Sequence, residues 1–177
     1  MTERNKQARF SRREFMKHAA VSFAAAMAVP RLGRAETVGG IAPFSFDITP
    51  PLGTPWYPSY KPLEAIEHPL FAKGVILEDA GGRSVLCALD LCELRNSAYD
   101  RACAMLAEAA GTTPDRVAVH TVHQHTAPMI DPEAFMLADS IPSPPPHPDL
   151  AVMEQILQKL AESVSGAAAR LQPWNRL

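Results

Sequence analysis

Three of the chain's six histidines fall within one short stretch, as His120, His123 and His125. The pair His123-Gln124-His125 is the spacing that carries most chemistry. Residues i and i+2 of an extended chain face the same side, so two imidazoles spaced in this way can converge on one point. Neutral imidazole nitrogens bind zinc at about 2.0–2.1 Å, and zinc takes a third and usually a fourth ligand. The residues available to join the pair are Asp90, Glu93, His120, His68 and His147. Strict alternation puts His120 on the face opposite His123 and His125. Asp90 suits a ligand or a carboxylate that orients a ligand imidazole. His147 stands among prolines and reads as an exposed loop residue. In the absence of an ion, the same H-x-H reads as a surface or hydrogen-bonded pair.

Other chemistries find no support. There is no G-x-S-x-G elbow, no P-loop and no G-x-G-x-x-G. The H-x-H-x-D-H pattern of metallo-β-lactamase-like hydrolases fails because Ala127 stands where its aspartate belongs. Cys87, Cys92 and Cys103 form no C-x-x-C pair. Cys87 and Cys92 lie on one predicted strand with opposite facing, so they do not bridge, and all three read as buried apolar thiols.

The elements that must position these groups can be read from periodicity. Ile41 to Thr49 alternates and carries Phe44, Phe46 and Ile48, which predicts a strand ended by Pro50-Pro51-Leu52-Gly53. Thr54 to Glu67 reads as a loop bearing Trp56, Tyr57 and Tyr60, which could line an entrance or cover the core edge. Leu70 to Asp79 and Arg83 to Cys92 read as strands of a hairpin turned at Gly81-Gly82. The apolar run Val85 to Leu89 predicts burial on both faces. A helix capped by Asn96 or Ser97 runs to Ala110, stopped by Gly111. Arg116 to Val122 is the next strand. Strand, helix, strand makes a βαβ unit with parallel strands and a right-handed crossover. In such sheets, sites lie beyond the carboxyl ends of the parallel strands. That rule places Asp90 and Glu93 beside the histidine pair. Pro128 to Pro148 reads as a long loop. Asp149 caps a last helix reaching about Leu171, with Leu150, Met153, Ile156, Leu157, Leu160 and Val164 on one face. The predicted class is α/β: a mixed sheet with a βαβ unit and flanking helices.

Composition narrows the function classes. At 47% hydrophobic and 20% charged, the chain is neither disordered, collagen-like nor a coiled-coil rod. No apolar stretch reaches the ~18 residues that a membrane span needs. Residues 1–35 hold eight of the 17 Lys+Arg and two of the 19 Asp+Glu, which leaves nine basic and seventeen acidic residues and a formal charge of −8 beyond them. An acidic body argues against nucleic acid or an anionic membrane surface as partner. Ser11-Arg12-Arg13-Glu14-Phe15-Met16-Lys17, the Ala-rich run Ala19 to Val29 and Gly33-Arg34-Ala35 read as a signal peptide of the twin-arginine type, cleaved after Ala35. The expected partner of residues 11–17 is the twin-arginine (Tat) export machinery. The expected destination is periplasmic or extracellular, with residues 36–177 as the mature part.

The order of motifs in that mature part resembles a known family. Asp47-Ile48-Thr49-Pro50-Pro51-Leu52-Gly53 is followed by Tyr60, His68-Pro69-Leu70-Phe71-Ala72 and Leu89-Asp90-Leu91. Then comes Val122-His123-Gln124-His125-Thr126-Ala127-Pro128. This series resembles the N-terminal region of the neutral/alkaline non-lysosomal ceramidases, over roughly residues 41–172. The resemblance implies a zinc-dependent amidase acting on the N-acyl bond of a lipid amide, with zinc held by two histidines, a glutamate and a tyrosine. It implies that His123 is a zinc ligand and that His125 lies at the site, as ligand or proton-transfer partner. The remaining ligands of the family lie beyond Leu177, so the resemblance implies that the chain is part of a larger catalytic domain and is inactive by itself. The chain departs from the family at Val122, Gln124 and Thr126 and in the proline-rich stretch 128–148. Zinc there would activate water and polarise the amide carbonyl, with Asp90 as an orienting carboxylate. The alternative is an exported, non-enzymatic binding module whose histidines are structural.

Overall fold

A computed structural model describes residues 39–174. The proposed leader, residues 1–35, lies outside the described residues.

The elements follow in the order β1 (Gly39–Asp47), β2 (Phe71–Asp79), β3 (Gly82–Leu89), β4 (Glu93–Leu94), α1 (Asn96–Ala110), β5 (Val117–Thr121), β6 (Met129–Ile130), α2 (Pro132–Asp139), α3 (Leu150–Ala168) and β7 (Gln172–Trp174). Five strands form one mixed sheet in the order β5-β3-β2-β1-β7, and β4 and β6 form a second, two-stranded sheet. β2 and β3 are the expected antiparallel hairpin, and β3 pairs in parallel with β5 across α1. The class is therefore mixed α/β with a βαβ unit.

Both long helices pack against one face of the sheet. The buried positions Ala42, Phe44, Ala72, Ile76, Val85, Cys87, Leu89, Val117 and Val119 recur with period two along their strands and meet Leu106, Leu157, Leu160 and Val164 from α1 and α3. Gly111 closes α1 in the left-handed conformation (φ 69°), as a glycine just past a helix end should. Asp149 caps α3, its carboxylate accepting from the Ala151 N–H at 2.8 Å.

Several expectations are corrected. β3 is not buried on both faces: Leu86 is 48% exposed while its neighbours Val85 and Cys87 are buried, because helices cover only one side of the sheet. The β3 ladder also ends at Leu89 rather than at Cys92. Neither Asn96 nor Ser97 caps α1. Arg95 stands at the cap without a side-chain bond to the helix, and Asn96 donates its amide to Asp131 Oδ1 at 2.8 Å. The stretch 128–148 is not all loop. Asp131 caps α2 by accepting from the Ala134 N–H, Pro132 takes the first helical turn, and Met129–Ile130 pairs with Glu93–Leu94. The last helix stops at Ala168, and β7 then returns to pair with β1.

Candidate metal centre

The site is built where the parallel pair β3 and β5 runs out. Two backbone bonds follow beyond the end of the ladder, the Val122 N–H donating to Leu89 O at 3.0 Å and the His123 N–H to Leu91 O at 3.2 Å. The chain after β3 then turns into the second sheet. The Cys92 N–H donates to Pro128 O at 3.0 Å and the Arg95 N–H to Ile130 O at 2.9 Å. Residues 90–95 are thus clamped between residues 121–123 on one side and 128–130 on the other.

His123 takes a left-handed backbone conformation, φ 59°. The two imidazoles do not converge by strand alternation, as a flat extended chain would have it. They converge because β5 has ended and the backbone turns at His123. A left-handed, non-glycine residue costs about 1–2 kcal/mol, and such strain concentrates at functional sites.

The result is a cluster of three donors: Cys92, His123 and His125 each offer a ligand atom, and these atoms lie within 4.8 Å of one another. His125 Nε2 stands 3.4 Å from His123 Nε2. His123 Nδ1 lies 3.1 Å from the Cys92 carbonyl, which also accepts from Thr121 Oγ1 at 3.1 Å. An Nδ1–H donated to that carbonyl leaves Nε2 as the free lone pair facing His125, the usual way a second partner fixes a ligand tautomer. Cys92 Sγ lies 3.9 Å from the same Nδ1, and Glu93 Oε1 3.7 Å from it. Glu93 is engaged more closely by Arg95, at 2.6 Å. Burial first, and the Glu93 carboxylate second, push the Cys92 thiol above its ordinary pKa, with Arg95 opposing them. Cys92 is fully buried, whereas the His123 side chain is 56% exposed.

These donors fit a tetrahedral ion. Zinc–nitrogen bonds of about 2.0–2.1 Å at tetrahedral angles put the two nitrogens about 3.3–3.4 Å apart. The separation found is 3.4 Å.

The other predicted site residues lie elsewhere. Asp90 is not brought to the histidines. Its Oδ2 accepts from the Phe71 N–H at 2.9 Å, its carbonyl accepts from Gln124 Nε2 at 3.3 Å, and it lines a cleft of about 760 Å³ together with Trp56, His68, Gln124 and Thr126. His120 is exposed on the open face of the sheet. His147 is not a free loop residue: its ring stacks on Phe135 with centroids 4.4 Å apart, and Nε2 lies 3.3 Å from the Asp139 carboxylate. Tyr57 reaches the site, edge-on to the His125 ring at 5.9 Å, and Tyr60 packs edge-on against Tyr57 at the same centroid distance. Cys92 is the donor that sequence reasoning missed. Parallel pairing that carries Leu89 onto Thr121 also carries the residues after Leu89 alongside His123, and that register was the available signal.

No protein-family model matches the chain, and no curated protein sequence matches it. Among solved structures, the chain is similar in fold to the neutral ceramidase from Pseudomonas aeruginosa, with a TM-score of 0.54 and 20% identity. The match covers 77% of this chain and 22% of the ceramidase chain. A ceramidase-like fold is therefore shared over a minor part of that enzyme's length.

Proposed function

We propose that this chain carries the histidine end of an exported, zinc-dependent hydrolase of amide (N-acyl) bonds, ceramidase-like and acting on a lipid amide. The observation that carries the reading is the 3.4 Å approach of the two Nε2 atoms beyond the carboxyl ends of a parallel strand pair. The fold likeness to a neutral ceramidase supports it.

Zinc, when bound, supplies Lewis-acid polarisation of a carbonyl and activation of water. The chain's own part is to hold and orient. His123 is fixed by the Cys92 carbonyl at Nδ1 and by Leu91 at its N–H, so its Nε2 is aimed without further ordering. His125 presents Nε2 from the exposed side, either as a ligand or as the group that carries a proton. Asp90 acts as a positioning residue: it ties β2 to the end of β3 and, through Gln124, holds the residue between the two histidines. Among the described residues, the group that could hold the ion is Cys92, His123 and His125, without a glutamate.

The test is metal binding followed by turnover. The full chain should bind zinc stoichiometrically in calorimetry and lose it in His123→Ala, without hydrolysing an N-acyl amine by itself. A longer polypeptide that contains this chain should hydrolyse that substrate only when loaded with zinc. A zinc-loaded longer protein that leaves N-acyl amines intact would overturn the assignment.

A further inference from the structure

We infer that Cys92 is a metal ligand, so that the ion is held by a thiolate and two imidazoles rather than by imidazoles and oxygen donors alone. The inference rests on the reading that the histidine pair binds a divalent ion, and it narrows the ions expected. A thiolate in the donor set selects zinc and other borderline or soft ions over magnesium or calcium.

Three observations carry it. The first is proximity: Cys92, His123 and His125 form a group of ligand atoms within 4.8 Å of one another. Bonds of about 2.3 Å to sulfur and 2.0–2.1 Å to nitrogen require S···N edges of about 3.6 Å, so from separations of at most 4.8 Å the site closes with a movement of about 1.2 Å or less. The second is the hold on the Cys92 backbone. Its N–H is bonded to Pro128 O, and its carbonyl receives both Thr121 Oγ1 and His123 Nδ1. The residue that orients the imidazole therefore also delivers the sulfur, and neither is free to drift. The third is contrast with the other thiols. Cys87 and Cys103 belong to the hydrophobic cluster between the sheet and the helices, whereas Cys92, equally buried, stands outside that cluster and against the histidines. On binding, the thiol coordinates as thiolate, and its proton passes to solvent.

Cobalt(II) alone, titrated into the reduced full chain, distinguishes the outcomes. Wild type should develop the ligand-field bands of bound cobalt together with an intense near-ultraviolet sulfur-to-cobalt charge-transfer band. Cys92→Ser should abolish the charge-transfer band and weaken zinc binding by more than the ~10–100-fold that loss of an outer-shell partner costs. Cys103→Ala should leave the band in place, which keeps the test decisive should Cys92→Ser fail to fold. Bound cobalt with no charge-transfer band in wild type overturns the thiolate ligand and leaves the histidine reading standing. Absence of cobalt binding in wild type, with His123→Ala no different, overturns both.

Discussion

The backbone at His123 gives a prediction whose sign is set by one torsion angle. At an ordinary strand or helix position, replacing a side chain by glycine is worse than replacing it by alanine, by about 0.5–1 kcal/mol, because the unfolded glycine chain has more freedom to lose. At φ 59° the order reverses. Alanine retains the left-handed penalty of about 1–2 kcal/mol, and glycine does not. Both variants lose the same Nδ1–H bond to the Cys92 carbonyl, worth about 0.5–1.5 kcal/mol. His123→Ala should therefore be less stable than wild type by about that amount. His123→Gly should fall within about 1 kcal/mol of wild type and above His123→Ala by about 0.5–1 kcal/mol. Urea unfolding of the full chain, followed by far-ultraviolet circular dichroism in the absence of metal, measures the difference directly. Both variants should lose zinc affinity alike, so the stability order is separable from the chemistry. Alanine proving more stable than glycine would refute the claim that this residue is held under backbone strain for the sake of the site.

The other expectations concern what holds the site in place. Asp131→Ala removes the cap of α2 and a charged acceptor for Asn96, and should cost about 2–4 kcal/mol in a urea titration; Asp131→Asn, which keeps an acceptor, should cost less than half of that. Leu160→Ala, at a fully buried position where α3 meets the core, should cost about 2–5 kcal/mol in the same assay. The Arg101 guanidinium, hydrogen-bonded to Glu154, holds that carboxyl below its ordinary pKa. A lowered folded-state pKa contributes stability above the ordinary glutamate value of about 4.3 and loses it as pH falls through the folded value. Thermal midpoints measured against pH should therefore show an acid-side decline that is shallower in Arg101→Gln, and identical slopes would count against the pair.

The strands and long helices were legible because their signals are local. Alternation in β1, the hairpin of β2 and β3, the helical face of α3 and the glycine stop at Gly111 each need only neighbours in sequence. The proline-rich stretch misled because its prolines outweighed a helix start written plainly in it, Asp131-Pro132-Glu133, whose cap is shared with Asn96 from another element. Burial of β3 was overestimated because an apolar run records what a strand can tolerate, not how many layers cover it, and Leu86 lies on the uncovered face. The histidine pair was legible from spacing. The turn at His123 was not, since nothing short-range in Val122-His123-Gln124 demands a left-handed residue. Cys92 was hidden for a related reason. Its partner is set by parallel register across thirty residues of crossover, and the sequence shows only one more buried thiol. Asp90 stands at the predicted strand end, and its carboxylate accepts from the Phe71 N–H, a partner 19 residues away that spacing does not show.

Metal removal should leave this fold standing, and the reason lies in where the donors are. None of Cys92, His123 and His125 belongs to the hydrophobic cluster that joins the sheet to α1 and α3, so the core closes without the ion. A closed structural zinc site, by contrast, supplies folding energy outright. Here the burial runs from a fully buried sulfur to two exposed imidazoles, which directs any remaining coordination position toward solvent, as in sites that keep a place for water or substrate. The apo chain should thus melt cooperatively, with zinc raising stability only by linkage, about 2.7 kcal/mol at a free zinc concentration 100 times the Kd. Calorimetric scans over a series of free zinc concentrations read that dependence. A chelator that abolished the melting transition altogether would show that the ion builds the domain, and would count against a catalytic site laid over a finished core.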